Sequence, residues 1–201
     1  MRIAGDNSFA DREKGKAAIR AAIAAGYTHF DHADVYSDGN SESIFSEVLR
    51  EESALRDQLI ITSKCGILQS SNPDIAITKR YDFSREYILR RVDESLQRLG
   101  IDYLDLLLLH RPDYLMDPED VASTFDTLME QRKVRNFGVS NFRPSQLSLL
   151  QKYCSVPLLA NQIEINIDNI SALTDGTLDQ CLEHGITPMA WCPLGGVAYP
   201  A

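Results

Sequence analysis

The stretch YLDLLLLH, Tyr103 to His110, carries the reading of the fold. From Leu104 to Leu109 it is almost wholly apolar, whereas a strand with one wet face would alternate apolar with polar residues. Such a run implies burial on both faces, and so a parallel sheet covered by helices. The flanking segments agree. Before it, Ser84 is a candidate N-cap for a helix whose Ile88, Val92, Leu96 and Leu99 keep helical spacing, and Gly100 stops that helix. After it, residues Pro118 to Arg132 read as the next helix and VRNFGVSN, Val134 to Asn141, as the next strand.

The alternation extends in both directions. Upstream, Lys16 to Ala25 is an Ala-rich helix closed by Gly26, YTHFDHA is a short strand, Ser41 to Glu51 is helical and LIITSKCG is a strand. Downstream come a helix over Pro144 to Tyr153, the strand LLANQIEIN, a helix over Gly176 to Glu183 and the strand ITPMAWCP. Six strands are legible, with a stub of a further one in MRIA. The sheet is predicted to be either doubly wound or closed as a (β/α) barrel. No linker or change of composition divides the chain, so residues 1–201 are read as one domain. The longest irregular segment, Cys65 to Phe83, is of a length that borders a site or moves.

At 201 residues, 44% hydrophobic and 24% charged, the composition is that of an ordinary globular protein. Twenty Lys and Arg against 29 Asp and Glu leave a formal charge of −9, which argues against nucleic acid or an anionic membrane as partner. The four cysteines form no CxxC pair and suit a reducing compartment. No signal pattern opens the chain, and the longest apolar run is far below the roughly 20 residues of a membrane span, so the cytoplasm is expected.

Each strand ends in a chemically specific residue: Asp31 followed by Tyr36, Lys64, His110, Ser140 with Asn141, Gln162, and Trp191. In parallel α/β architectures that edge is where sites are built. Singly, each has an ordinary structural reading: a turn cap for Asp31, a solvated lysine, a core histidine, the start of the next helix for Ser140 and Asn141, a surface amide, a packed indole. Their joint placement favours a site. A metal centre at His29, Asp31, His32 and Asp34 is disfavoured, because His29 and His32 point to opposite faces of a strand, and no HExxH pattern occurs. GxGxxG, GxxxxGK[ST] and GxSxG are all absent, so a Rossmann turn, a P-loop and a serine-hydrolase elbow are not expected.

Taken in order, GYTHFDHADVY, TSKCG, LDLLLLHRPD, VRNFGVSNF, NQIEIN and MAWCPLGG resemble the aldo-keto reductase family, in particular its bacterial oxidoreductase branch, over about Gly26 to Gly196. The resemblance implies a (β/α)8 TIM-type barrel that binds NADPH in extended form at its C-terminal face, with NADH also open, and reduces aldehyde or ketone carbonyls to alcohols. It also implies a catalytic set of Asp31, Tyr36, Lys64 and His110. Ser140, Asn141 and Gln162 would hold the nicotinamide carboxamide, and Trp191, where many relatives carry a tyrosine, would offer a ring face; Cys192 and Leu194 complete the expected cofactor contacts.

The residue types suit that chemistry. Hydride transfer to a carbonyl carbon leaves charge on the oxygen, and Tyr36 is the implied proton donor. A cationic Lys64 beside it would favour the phenolate left behind. Asp31 would keep Lys64 charged and oriented, and His110 would hold the substrate oxygen. His32 and Asp34 are unassigned, with either a loop role or a role in supporting the reacting residues from behind expected. The ends depart from the family pattern: the chain reads as an incomplete barrel that lacks the eighth strand and the last helices. That predicts an open edge prone to self-association. The alternative reading is a truncated, non-catalytic protein on the same scaffold, either a nucleotide-binding regulatory subunit or a pseudoenzyme.

Overall fold

The computed structural model describes residues 2–68 and 80–195. Its main sheet has six parallel strands, β1 (His29–Asp31), β2 (Ile60–Cys65), β5 (Leu106–Leu109), β6 (Phe137–Ser140), β7 (Leu158–Glu164) and β8 (Thr187–Trp191), hydrogen-bonded in that order. Six helices alternate with them: α1 (Phe9–Ala24), α2 (Asn40–Glu51), α3 (Arg85–Leu99), α4 (Pro118–Glu130), α5 (Pro144–Tyr153) and α6 (Thr177–His184).

Strand order settles what the alternation alone left open. A doubly wound sheet reverses its order at a switch point, whereas here each strand pairs with the next parallel strand along the chain. Right-handed crossovers then put every helix on the same face. Successive helices accordingly pack on one another, α1 on α2, α2 on α3, α3 on α4 and α4 on α5. The result is an incomplete (β/α)8 barrel, a curled six-stranded sheet with its helices outside.

The main core lies between sheet and helices, where Phe30, Ile61, Leu107 and Leu109 meet Phe45, Ile88 and Val92. Phe125 of α4 stacks on Phe137 of β6 with centroids 4.1 Å apart. Leu106 and Leu108 point to the concave side, against Ala160 and Met189. All four residues of β5 are buried, as the apolar run requires. Gly138 also faces inward, and a Cβ there would lie 2.6 Å from the Ala160 carbonyl oxygen and 2.8 Å from Leu108 Cδ2.

Three local expectations are revised. Helix α1 begins at Phe9, seven residues before the Ala-rich stretch, because the Ser8 side chain accepts from Asp11 N and starts it there. The Cys65–Phe83 segment is not wholly irregular: β3 (Ile67–Leu68) pairs antiparallel with β4 (Arg80–Tyr81), while residues 69–79 lie outside the described residues. Arg2 to Ala4 of the MRIA stub carry no strand, and Met1 lies outside the described residues. The α3 expectations hold at both ends: the Ser84 side chain accepts from Tyr87 N, and Gly100 closes the helix in the left-handed region.

Candidate active site

Side chains alternate along a strand, so Asp31 at the end of β1 and Thr62 and Lys64 on β2 share the concave face. There the Lys64 ammonium is sealed, with none of its side chain exposed, and lies 2.6 Å from Asp31 Oδ2. It also donates to the His32 carbonyl at 2.8 Å and to the Tyr36 hydroxyl at 3.4 Å. All three ammonium hydrogens thus have an acceptor. Tyr36 reaches this position on a tight turn over residues Tyr36–Gly39, with Ser37, Asp38 and Gly39 all at positive φ.

His110 leaves the end of β5, its N–H bonded to the Cys65 carbonyl. Its ring meets that of Tyr36 edge-on, with centroids 5.7 Å apart. Both rings line a cavity of about 420 Å³ at the C-terminal edge of the sheet. Ser140, Asn141, Gln162, Trp191 and Cys192 line its other side. Asp31 and Lys64 lie beneath Tyr36, bonded to it through Lys64. Leu194 is 97% exposed and stands outside the cavity wall.

The polar residues of the wall are bonded to one another. Trp191 Nε1 donates to Asn141 Oδ1 at 3.0 Å, and Asn141 Nδ2 donates to Ser140 Oγ at 2.7 Å. Ser140 Oγ donates to the Gln162 carbonyl at 3.0 Å, and Gln162 Nε2 donates to Asp31 Oδ2 at 3.1 Å. Asn141, at φ +62°, occupies the left-handed region that asparagine tolerates better than most residues. One run of contacts therefore joins Trp191 to Tyr36 across the whole sheet edge.

A sequence profile of the Aldo/keto reductase family matches residues 1–200. The chain belongs to the aldo/keto reductase family. It is 44% identical over 179 residues to the uncharacterized oxidoreductase YcsN of Bacillus subtilis, covering 89% of this chain and 60% of that protein. It is 40% identical over 193 residues to a 6-dehydroglucose reductase of Agrobacterium fabrum, covering 96% and 65%. A crystallised aldo/keto reductase of Klebsiella pneumoniae, in complex with NADP and acetate, superposes with a TM-score of 0.76 at 27% identity, covering 93% of this chain and 60% of that one. The chain thus spans about 60% of the length of YcsN and of the K. pneumoniae structure.

Two arginines also border this cavity. Arg2 lies over the Tyr36 ring at 5.2 Å, and Arg111 over the Trp191 ring at 5.4 Å. Arg111 opens the segment Arg111 to Met116, which its place directly after the β5 strand end marks in the sequence as lining for a substrate pocket; Arg2 carries no such signal. The metal grouping weighed from sequence is dispersed. His29 Nε2 bonds Thr62 Oγ1 at 2.7 Å, whereas His32 is fully buried with its ring edge-on to Phe45 at 4.6 Å. Burial holds the His32 imidazole well below its usual pKa. Asp34 turns outward to an ion pair with Arg91 of α3, Nε to Oδ2 2.6 Å. Burial outweighs that pairing and raises Asp34 to about 6.

No helix of the described residues is long and apolar enough to cross a membrane.

Proposed function

We propose that the protein is an NAD(P)H-dependent reductase of aldehyde or ketone carbonyls, in which Asp31, Tyr36, Lys64 and His110 deliver the proton and Ser140, Asn141, Gln162 and Trp191 hold the nicotinamide. The observation that carries the reading is the continuous polar run from Trp191 through Asn141, Ser140, Gln162, Asp31 and Lys64 to Tyr36. It makes the wall where a nicotinamide would lie and the proton-delivery group one connected unit.

The residues fit the cofactor's chemistry. Asn141 and Gln162 present amide donors and acceptors suited to a carboxamide, and the half-buried Trp191 indole presents an apolar face at the cavity. Bound NAD(P)H would supply the hydride. As charge develops on the carbonyl oxygen, the Tyr36 hydroxyl donates its proton, and the Lys64 ammonium at 3.4 Å stabilises the phenolate that remains. Asp31 keeps the ammonium in place, and His110, facing the same cavity, donates to the substrate oxygen.

The K. pneumoniae neighbour is a complex with NADP, so NADPH is the first cofactor to test and NADH the comparison. The A. fabrum relative reduces 6-dehydroglucose by name, which makes a sugar aldehyde a natural substrate to try. Arg2 and Arg111 would offer guanidinium donors to its oxygens. A non-catalytic nucleotide-binding role is not favoured, since the relatives are oxidoreductases.

The test is NADPH oxidation with a reactive aromatic aldehyde, followed by the loss of reduced-nicotinamide absorbance. Tyr36→Phe should lower turnover by roughly 10²–10⁴-fold while NADPH affinity is kept. Equal turnover in folded wild type and variant would remove Tyr36 from the mechanism.

A further inference from the structure

The turn that carries Tyr36 is an improbable piece of backbone. Ser37 (φ 51°, ψ 44°) and Asp38 (φ 53°, ψ 39°) are both left-handed, and Gly39 follows at φ +83°. Two successive non-glycine residues in that region persist only where the surroundings over-determine them. Within the turn, Tyr36 N bonds the Ala33 carbonyl at 3.0 Å and Asn40 Nδ2 bonds the Ser37 carbonyl at 2.8 Å. Strand β2 adds the Lys64 bond to the Tyr36 hydroxyl and the Lys64 carbonyl that accepts from Asp34 N, and α2 adds Ser43 Oγ to the Gly39 carbonyl; helix α3 supports the turn from behind.

Arg91 and Arg98 are seven residues apart, two turns along one face of α3. Each reaches a fully buried carboxylate on one flank of the turn. Arg91 Nε lies 2.6 Å from Asp34 Oδ2, and its Nη2 donates to the Asp34 carbonyl at 3.4 Å. Arg98 Nε lies 2.7 Å from Glu42 Oε2, while Glu42 Oε1 accepts from Ser63 Oγ at 2.6 Å. Glu94, between the two arginines, lies 2.5 Å from Arg91 Nη1 and 3.7 Å from Arg98 Nη1. The Arg98 stem also packs onto the turn itself: a Cβ on Gly39 would lie 2.6 Å from Arg98 Cδ and Nε.

We propose that Arg91 and Arg98 of α3 are positioning residues for the proton donor, holding the Tyr36 turn from behind through Asp34 and Glu42. The assignment rests on the reductase reading of Tyr36. Strand β2 links the two systems, since Ser63 faces the clamp and the adjacent Lys64 faces the Tyr36 hydroxyl. None of the clamp residues lines the cavity that holds Tyr36 and His110, and the effect of the clamp is to keep the phenol within reach of Lys64 and His110. A misplacement of about 1 Å at a reacting group can cost about a hundredfold in rate.

The experiment compares wild type, Arg91→Met, Arg91→Lys and Asp34→Asn by amide hydrogen exchange and by carbonyl reduction. In Arg91→Met, exchange over residues 34–40 should rise while that of β5 stays as in wild type, and kcat should fall at least about tenfold with KM within about twofold. Arg91→Lys should recover part of both losses, because it keeps the charge but not the forked donor. Asp34→Asn should lower kcat without lowering the melting temperature, a split that a purely structural role would not produce. Unchanged exchange over residues 34–40 in Arg91→Met, or a rise shared equally by β5, would overturn the proposal, as would an unchanged kcat in an active protein. An inactive but folded wild type would refute the reductase reading, and the exchange result would then decide the clamp by itself.

Discussion

Asp31 and Lys64 form one ion pair, yet removing either partner should have unequal consequences. The Lys64 side chain is 0% exposed and that of Asp31 is 30% exposed. In Asp31→Asn the sealed ammonium keeps the His32 carbonyl and the Tyr36 hydroxyl but loses its counter-charge, with no water to replace it. Breaking a buried pair in this way costs about 3–5 kcal/mol, and the low end applies because an asparagine oxygen still accepts. In Lys64→Met the stem volume is largely retained, and the remaining Asp31 side chain is part exposed and keeps the Gln162 amide at 3.1 Å from Oδ2. About 1 kcal/mol is expected there.

For a chain of this size those figures correspond to melting-temperature losses of about 6–12 °C and about 2–4 °C. The double variant should be no less stable than Lys64→Met, since it contains no orphaned charge. Thermal and urea unfolding followed by circular dichroism measures all three variants. A Lys64→Met loss equal to or larger than that of Asp31→Asn, or strictly additive losses in the double variant, would refute the burial argument.

Gly138→Ala should destabilise by about 1–3 kcal/mol, because its methyl would overlap the Ala160 backbone and Leu108; a variant as stable as wild type in urea would contradict the close packing of β6 on β7. Asp34, raised by burial from 3.8 to about 6, binds its proton more tightly folded than unfolded. Its contribution to stability is therefore complete below about pH 4 and is lost as pH rises through about 6, by about 3 kcal/mol. The charges around it are Arg91 and Arg98 on α3 and Glu42 on α2, with Tyr87 and Cys65 also facing it. The stability of Asp34→Asn relative to wild type should accordingly increase across that window, and a flat difference would disprove the shift. Trp191 is the single tryptophan of the chain and lines the cavity, so NADPH binding should quench its fluorescence; binding by another method with the emission unchanged would place the nicotinamide elsewhere.

Most of what could be read along the chain concerned local order. The apolar run at Leu106–Leu109, the Ser84 cap and the Gly100 stop each act over a few residues, and the structure keeps all three. The candidate site was legible because a parallel sheet carries its strand ends to one edge, which put Asp31, Lys64, His110, Ser140, Gln162 and Trp191 in one row before any contact was known. Leu194, counted with the cofactor contacts, is the exception. It lies beyond β8 in the chain, and its full exposure could not be inferred from a motif match.

By itself the amino-acid sequence determined the periodicities, the caps and the order of strands and helices, because these depend on neighbours within a turn or two of chain. Only the tertiary structure decided that the sheet curls as a barrel with every helix outside, since that depends on which strands pair. It alone brought Arg91 to Asp34 across 57 residues and Arg98 to Glu42 across 56. Charges that far apart in sequence carry no local signal, and they meet only when α3 packs behind the turn that bears Tyr36.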